Sequence, residues 1–211
     1  DKSAPTAVRC AAASALATCG EQAIPELKKT LASKHLSLKS SAASALGRIG
    51  EASMLDVLRV LTEPDSEYGA LLALGQLPAW KEAERVRRYA KSRIDSCMRS
   101  EDLRLAIQSI DTDRMRLLAD SLQHRARRDS INSLIALGLL NDRETLSIAI
   151  GSLQSRNPAQ YSNALETLES TREAALIRPS LSVWESTQDS RPVISPEEAL
   201  ATLKNEQDDW L

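Results

Sequence analysis

The run Val8-Arg9-Cys10-Ala11-Ala12-Ala13-Ser14-Ala15-Leu16 leads to Gly20, and thirty residues later Leu38-Lys39-Ser40-Ser41-Ala42-Ala43-Ser44-Ala45-Leu46 leads to Gly50. A chain that repeats itself at so short a period cannot bury the apolar face of one repeat within that repeat. Each repeat must stack on its neighbours, so the expected architecture is an all-α, right-handed α-α superhelix, a solenoid. At ordinary helix lengths, 211 residues give about a dozen helices.

Within the first repeat, Val8, Ala12, Ala15, Leu16 and Cys19 recur at three- and four-residue steps, the spacing of one helical face. Gly20 ends that helix, and Ile24, Leu27 and Leu31 stripe a second one entered through Pro25. The second repeat follows the same plan with Leu38, Ala42, Ala45, Leu46 and Ile49, then Gly50, then Met54, Val57, Leu58 and Leu61, and Glu63-Pro64-Asp65 closes it. Alanine on the first helix of each repeat lets backbones approach closely, so a large residue at Ala12 or Ala42 is expected to overpack the interface.

Regular repeats thus span 3–62, and diverged ones continue over 65–183. A third repeat starts at Glu67 and is stopped by Pro78, and a long amphipathic helix runs on from Trp80. Further helical segments are read near 103–110, 115–125, 131–140, 145–153, 158–168 and 174–183, the fifth opened by Asn157-Pro158. A loop is expected at 186–195 and a final helix at 196–207, where Ser195-Pro196-Glu197-Glu198 supplies a capping hydroxyl, a proline at the first position and acids for the helix dipole. The whole of 1–211 reads as one solenoid, and Asp1 and Leu211 as the ends of a piece of a larger protein.

Composition narrows the chemistry. No Phe and only 3% aromatic residues leave the core to Ala, Leu, Ile and Val, which suits close helix packing. The net charge of -2 gives no global pull towards nucleic acid or membrane. Cys10, Cys19 and Cys97 show no metal-ligand spacing with His35 or His124, so they read as small buried residues in a reducing, cytoplasmic setting, with no metal and no cofactor. The longest apolar run, Leu134 to Leu140, is too short to span a bilayer. Ser, His and acidic residues form no catalytic motif, and the glycines fall at helix ends instead of in a phosphate loop, so no catalytic residue is assigned.

Val8-Arg9, Ala12-Ala13, Ala15-Leu16, Gly20, Ala23-Ile24-Pro25 and Leu27, with their partners one repeat on, resemble the short HEAT-like repeat found in phycobilisome lyase-type proteins. The stretch from Asp129-Ser130-Ile131-Asn132 through Asn157-Pro158 to Leu168-Glu169 is similar to the HEAT region of large bacterial proteins that carry transporter-like and cyclic-nucleotide-binding domains. These resemblances imply a HEAT- or armadillo-like scaffold that couples domains, attachment to a membrane protein, and, as the one enzyme alternative, a bilin lyase or isomerase.

Between Arg85 and Arg128 eleven Arg and one Lys face six acids, and from this stretch Arg85, Arg88, Arg125, Arg127 and Arg128 are the candidate partner-binding residues. The partner expected is a protein or a neighbouring domain of the same polypeptide. Aromatic residues do not interleave with the arginines, which argues against nucleic acid. Lys28, Lys29 and Arg59 are further candidates on the ridge of second helices. Trp80, Trp184 and Trp210 sit beside helix ends, where packing is the simpler role and an interface hot spot the alternative. The segment from Asp189 to Leu211, with six acids against two bases, could serve as an internal counterpart to the basic stretch.

Overall fold

A computed structural model describes residues 5–141, 143–155, 157–184 and 193–205, and among them every regular element is helical. The chain divides into two compact units, the first made of 1–89 with 135–143 and the second of 90–134 with 144–211.

The first unit holds α1 (Thr6–Leu16), α2 (Ile24–Leu31), α3 (Leu36–Ile49), α4 (Met54–Val60) and α5 (Glu67–Leu74). Gly20 and Gly50 have φ of +62° and +83°, so the same residue type reverses the chain in both repeats, at an angle that a side chain would strain. In α2, Ile24, Leu27 and Leu31 are buried, in α3 so are Leu38, Ala42, Ala45 and Leu46, and in and just after α4 so are Met54, Val57 and Leu61, while Ile49 and Leu58 of the expected stripes are half-buried. These follow the expected stripes.

Helix α3 packs on α1, and α5 on α3 and α4. Arg48 of α3 donates to the carbonyl of Ser14 near the end of α1, and Arg143 Nη1 donates to the Gly75 carbonyl at 2.5 Å, just past α5. Guanidinium groups thereby satisfy orphan carbonyls at two helix ends. Salt bridges join successive repeats: Lys28 Nζ lies 2.8 Å from Asp56 Oδ1 and Lys81 Nζ 2.6 Å from Glu51 Oε2. Tyr89 donates to Glu67 Oε1 at 2.6 Å, and both residues are buried.

Helix α1 departs from the expected pattern. Val8, Ala12, Ala15 and Cys19 are exposed and Leu16 is half-buried, while Ala13 is buried. Ala42 is therefore the tight position and Ala12 is not, because no described helix lies against that side of α1.

Helix α6 (Ala83–Ile107) begins in the first unit and α7 (Asp113–Gly138) ends in it. Where separate segments were expected, each of these is one continuous helix. Neither contains an internal proline or glycine before its end, and Asp129 and Ser130, which fall between the segments read at 115–125 and 131–140, are 1% and 0% exposed. The second unit also holds α8 (Arg143–Leu153, from Glu144 on), α9 (Pro158–Glu169), α10 (Ala174–Leu181) and α11 (Pro196–Asn205). Asn157 caps α9 by accepting from the Ala159 amide at 3.0 Å. At α11 the Glu198 amide donates to Ser195 Oγ at 3.2 Å and the Ser195 amide to Glu198 Oε2 at 3.1 Å, a reciprocal capping box. Leu103, Ile107 and Leu122 enclose Ala199 and Leu203 of α11 in one apolar cluster. The loop expected at 186–195 falls mostly outside the described residues, as does the end of the final helix.

Candidate interaction surface

The five candidate arginines fall in different settings. In the first unit, Arg85 and Arg88 lie near the start of α6 on its outer side. Arg85 Nε is 3.4 Å from Glu82 Oε2, an exposed pair three residues apart that contributes little. Arg88 is exposed and makes no ion pair among the described residues.

In the second unit, Arg125, Arg127 and Arg128 ride on one stretch of α7; Arg125 is half-buried, and Arg127 and Arg128 make the internal contacts that follow. The Arg127 guanidinium sits 5.3 Å from the centre of the Trp184 ring, a cation–π contact. Trp184 is 9% exposed, and its indole Nε1 donates to Ser130 Oγ at 2.9 Å, which ties the end of α10 to α7. Arg128 Nε lies 3.8 Å from Asp129 Oδ1, although its side chain is 61% exposed.

Asp129 is the charged group that matters most locally. Its Oδ2 accepts from Ser96 Oγ at 2.7 Å, and its Oδ1 accepts no hydrogen bond among the described residues but faces Arg93 Nη1 at 3.7 Å. A buried carboxylate is tolerated only when such charges and donors surround it. One turn along α6, burial first, then Asp129 and Glu101, push the Cys97 thiol up to about 12, so it stays protonated and unreactive. Arg104 is held in its charged form by its fork on Glu101, at 2.6 and 2.7 Å. Burial and the neighbouring Glu101 raise Asp102 above the ordinary carboxylate range.

The cations expected on the ridge of second helices are all neutralised. Asp56 receives both Lys28 and Arg59, at 2.8 and 3.5 Å, and Lys29 pairs with Glu26 at 2.7 Å. Trp80 is 67% exposed beside Lys81 and so has no packing role, whereas Trp184 has one and Trp210 lies outside the described residues. Cys97 is buried as expected, but Cys10 is only half-buried and Cys19 is exposed. Sequence alone missed the Asp129 network, because an acid amid arginines reads as a solvated face.

A shallow groove of about 330 Å³ lies between α8 and α9, floored by Ala149 and Ala164 and walled by Thr145, Ile148, Gln160 and Asn163. Its lining carries no charge. Among the described residues, no cluster of His, Cys, Asp and Glu is arranged to hold a metal ion. No described helix is long and apolar enough to cross a membrane.

The stacked pairs α1 with α3 and α3 with α5, turned at Gly20 and Gly50, define the repeat type. Residues 1–75 match the family model for HEAT repeats. That match covers the regular repeats and the first helix of the diverged region. No curated protein and no solved structure matches the chain.

Proposed function

We propose that this chain is a non-catalytic protein-interaction or scaffold module built from HEAT-type repeats, a coupling segment of a larger cytoplasmic or membrane-attached polypeptide. The repeat match and the stacking of α1, α3 and α5 support continuation of the array as a right-handed superhelix. The contrast among its cations carries the functional reading: Lys28, Lys29 and Arg59 are neutralised from within, while Arg88 stands exposed and unpaired and Arg128 is 61% exposed. Exposed guanidinium groups favour a partner segment rich in Asp and Glu, whose carboxylates they can grip in bidentate fashion.

The basic surface is tested by titrating the full chain with a fluorescent deca-glutamate peptide. Reversal of the exposed pair, Arg85→Glu with Arg88→Glu, should weaken binding by about fivefold or more, with affinity falling as salt rises. Melting should hold steady, because neither side chain is buried. Arg127 and Arg128 are poorer choices, since reversing them disturbs Trp184 and Asp129. Equal binding by the reversed and parent chains removes the basic surface from the proposal. A free linear tetrapyrrole in the same assay addresses the bilin-lyase alternative, which a shifted and enhanced absorption band would favour.

A further inference from the structure

We infer that Trp80 is the apolar anchor of a docking site in the first unit, and that the segment docked there is acidic and carries a large aliphatic side chain among its carboxylates. The inference rests on the basic surface proposed above and adds the apolar contact that goes with it. Trp80 lies in the short turn Ala79–Glu82 that leads into α6. It is 67% exposed, which leaves on the order of 150 Å² of indole surface in water.

The ring is uncovered but not loose. Lys81 Nζ sits 5.8 Å from the centre of the Trp80 ring, and the same nitrogen lies 2.6 Å from Glu51 Oε2. A salt bridge to the preceding repeat therefore fixes the cation that rests against the indole. A side chain ordered in advance loses little freedom when a partner covers it.

Apolar and basic groups flank the ring in register. Lys81 follows Glu51 by thirty residues, and the bridge between them sets these equivalent positions side by side. One helical turn further along, the equivalent pair is Leu55 and Arg85. Leu55 is 46% exposed, Arg85 is exposed, and Arg88 continues the same side of α6. The site thus offers two uncovered apolar side chains, Trp80 and Leu55, bordered by two guanidinium groups.

Charge selects the occupant. Adsorption to anionic lipid needs clustered cations and a broad apolar face, whereas the exposed acids Glu51 and Glu84 stand among these cations. A nucleic-acid backbone would meet the same two acids. A protein segment can set its carboxylates against Arg85 and Arg88 and keep an aliphatic side chain for Trp80. In such a contact the covered aromatic anchor carries much of the affinity.

The test titrates two fluorescent peptides into the full chain: deca-glutamate, and a glutamate peptide of the same length with one leucine at its middle. The leucine peptide should bind about tenfold more tightly. Trp80→Ala should bring its affinity down to that of deca-glutamate, and Trp80→Phe should keep most of the preference. Both variants should melt with the parent, because the ring is not buried. Equal affinity of the parent for the two peptides, or a leucine preference that survives Trp80→Ala, overturns the inference and leaves the basic surface standing. Failure of both peptides to bind the parent removes the surface and the anchor together. An oligothymidylate of the same length, or phosphatidylserine vesicles, bound more tightly than the leucine peptide and released by Trp80→Ala, would overturn the inference by giving the ring to nucleic acid or to lipid.

Discussion

Cys19 and Cys97 show how far environment separates two residues of the same type. Cys19 is exposed in the turn after α1, while Cys97 is fully buried beside Asp129 and Glu101. Burial and those two acids raise Cys97 from 9.0 to about 12, which means the native state keeps a proton that the unfolded chain would release. The native state binds more protons across that window, so this thiol withdraws stability as pH climbs from about 9 towards 12. At pH 8, a thiol reagent should modify Cys19 readily and leave Cys97 untouched until denaturant is added, as read by mass spectrometry. Rapid modification of Cys97 in the folded chain would show that the α6–α7 contact opens far more often than its burial implies.

At the scale of helices, glycine decides how closely two elements can meet. An added Cβ at Gly69 in α5 would stand 2.7 Å from the Leu31 carbonyl oxygen and 2.9 Å from Leu31 Cβ. The obstacle is backbone at the end of α2, which cannot swing aside, so Gly69→Ala should cost about 1–3 kcal/mol despite the better helix propensity of alanine. A urea midpoint equal to that of the parent would mean that α5 shifts freely. Much at this scale was legible beforehand: Gly20, Gly50 and the Ser195–Glu198 box mark helix ends through backbone chemistry that is local to a few residues. The lengths of α6 and α7 were not legible: separate segments were read at 103–110, 115–125 and 131–140, and only Ser96, Arg93 and Trp184, brought from elsewhere in the chain, show that Asp129 and Ser130 between two of them are buried. The exposure of Val8 and Ala12 was hidden for a related reason. Periodicity says which residues share a face, and only a neighbour says whether that face is covered. Of the candidate arginines, sequence gave position on the chain but could not reveal that Trp184 and Asp129 occupy two of them.

For the molecule as a whole, the division into compact units does not follow the order of the chain. The first unit takes in 1–89 and then 135–143, the end of α7 and the turn beyond it. Ala136 and Leu137 in that returning segment are both 0% exposed, and Arg143 caps the Gly75 carbonyl at the end of α5. A polypeptide of residues 1–89 alone would therefore contain every regular repeat yet lack two buried side chains and a helix cap. Removing a buried leucine costs about 2–5 kcal/mol, and an orphaned carbonyl adds about 1 kcal/mol or more. Those losses are comparable to the total stability of a small domain, at about 5 kcal/mol. Circular dichroism of the 1–89 polypeptide should show helix that melts gradually and at lower temperature than the intact chain. A peptide of residues 135–143 supplied separately would restore little, since the tether that holds it near α5 is lost. If residues 1–89 instead melt as sharply and as high as the full chain, the regular repeats are self-sufficient and the returning segment is a passenger. That outcome would also mean that stacking among α1, α3 and α5 outweighs the helix-end chemistry at Gly75.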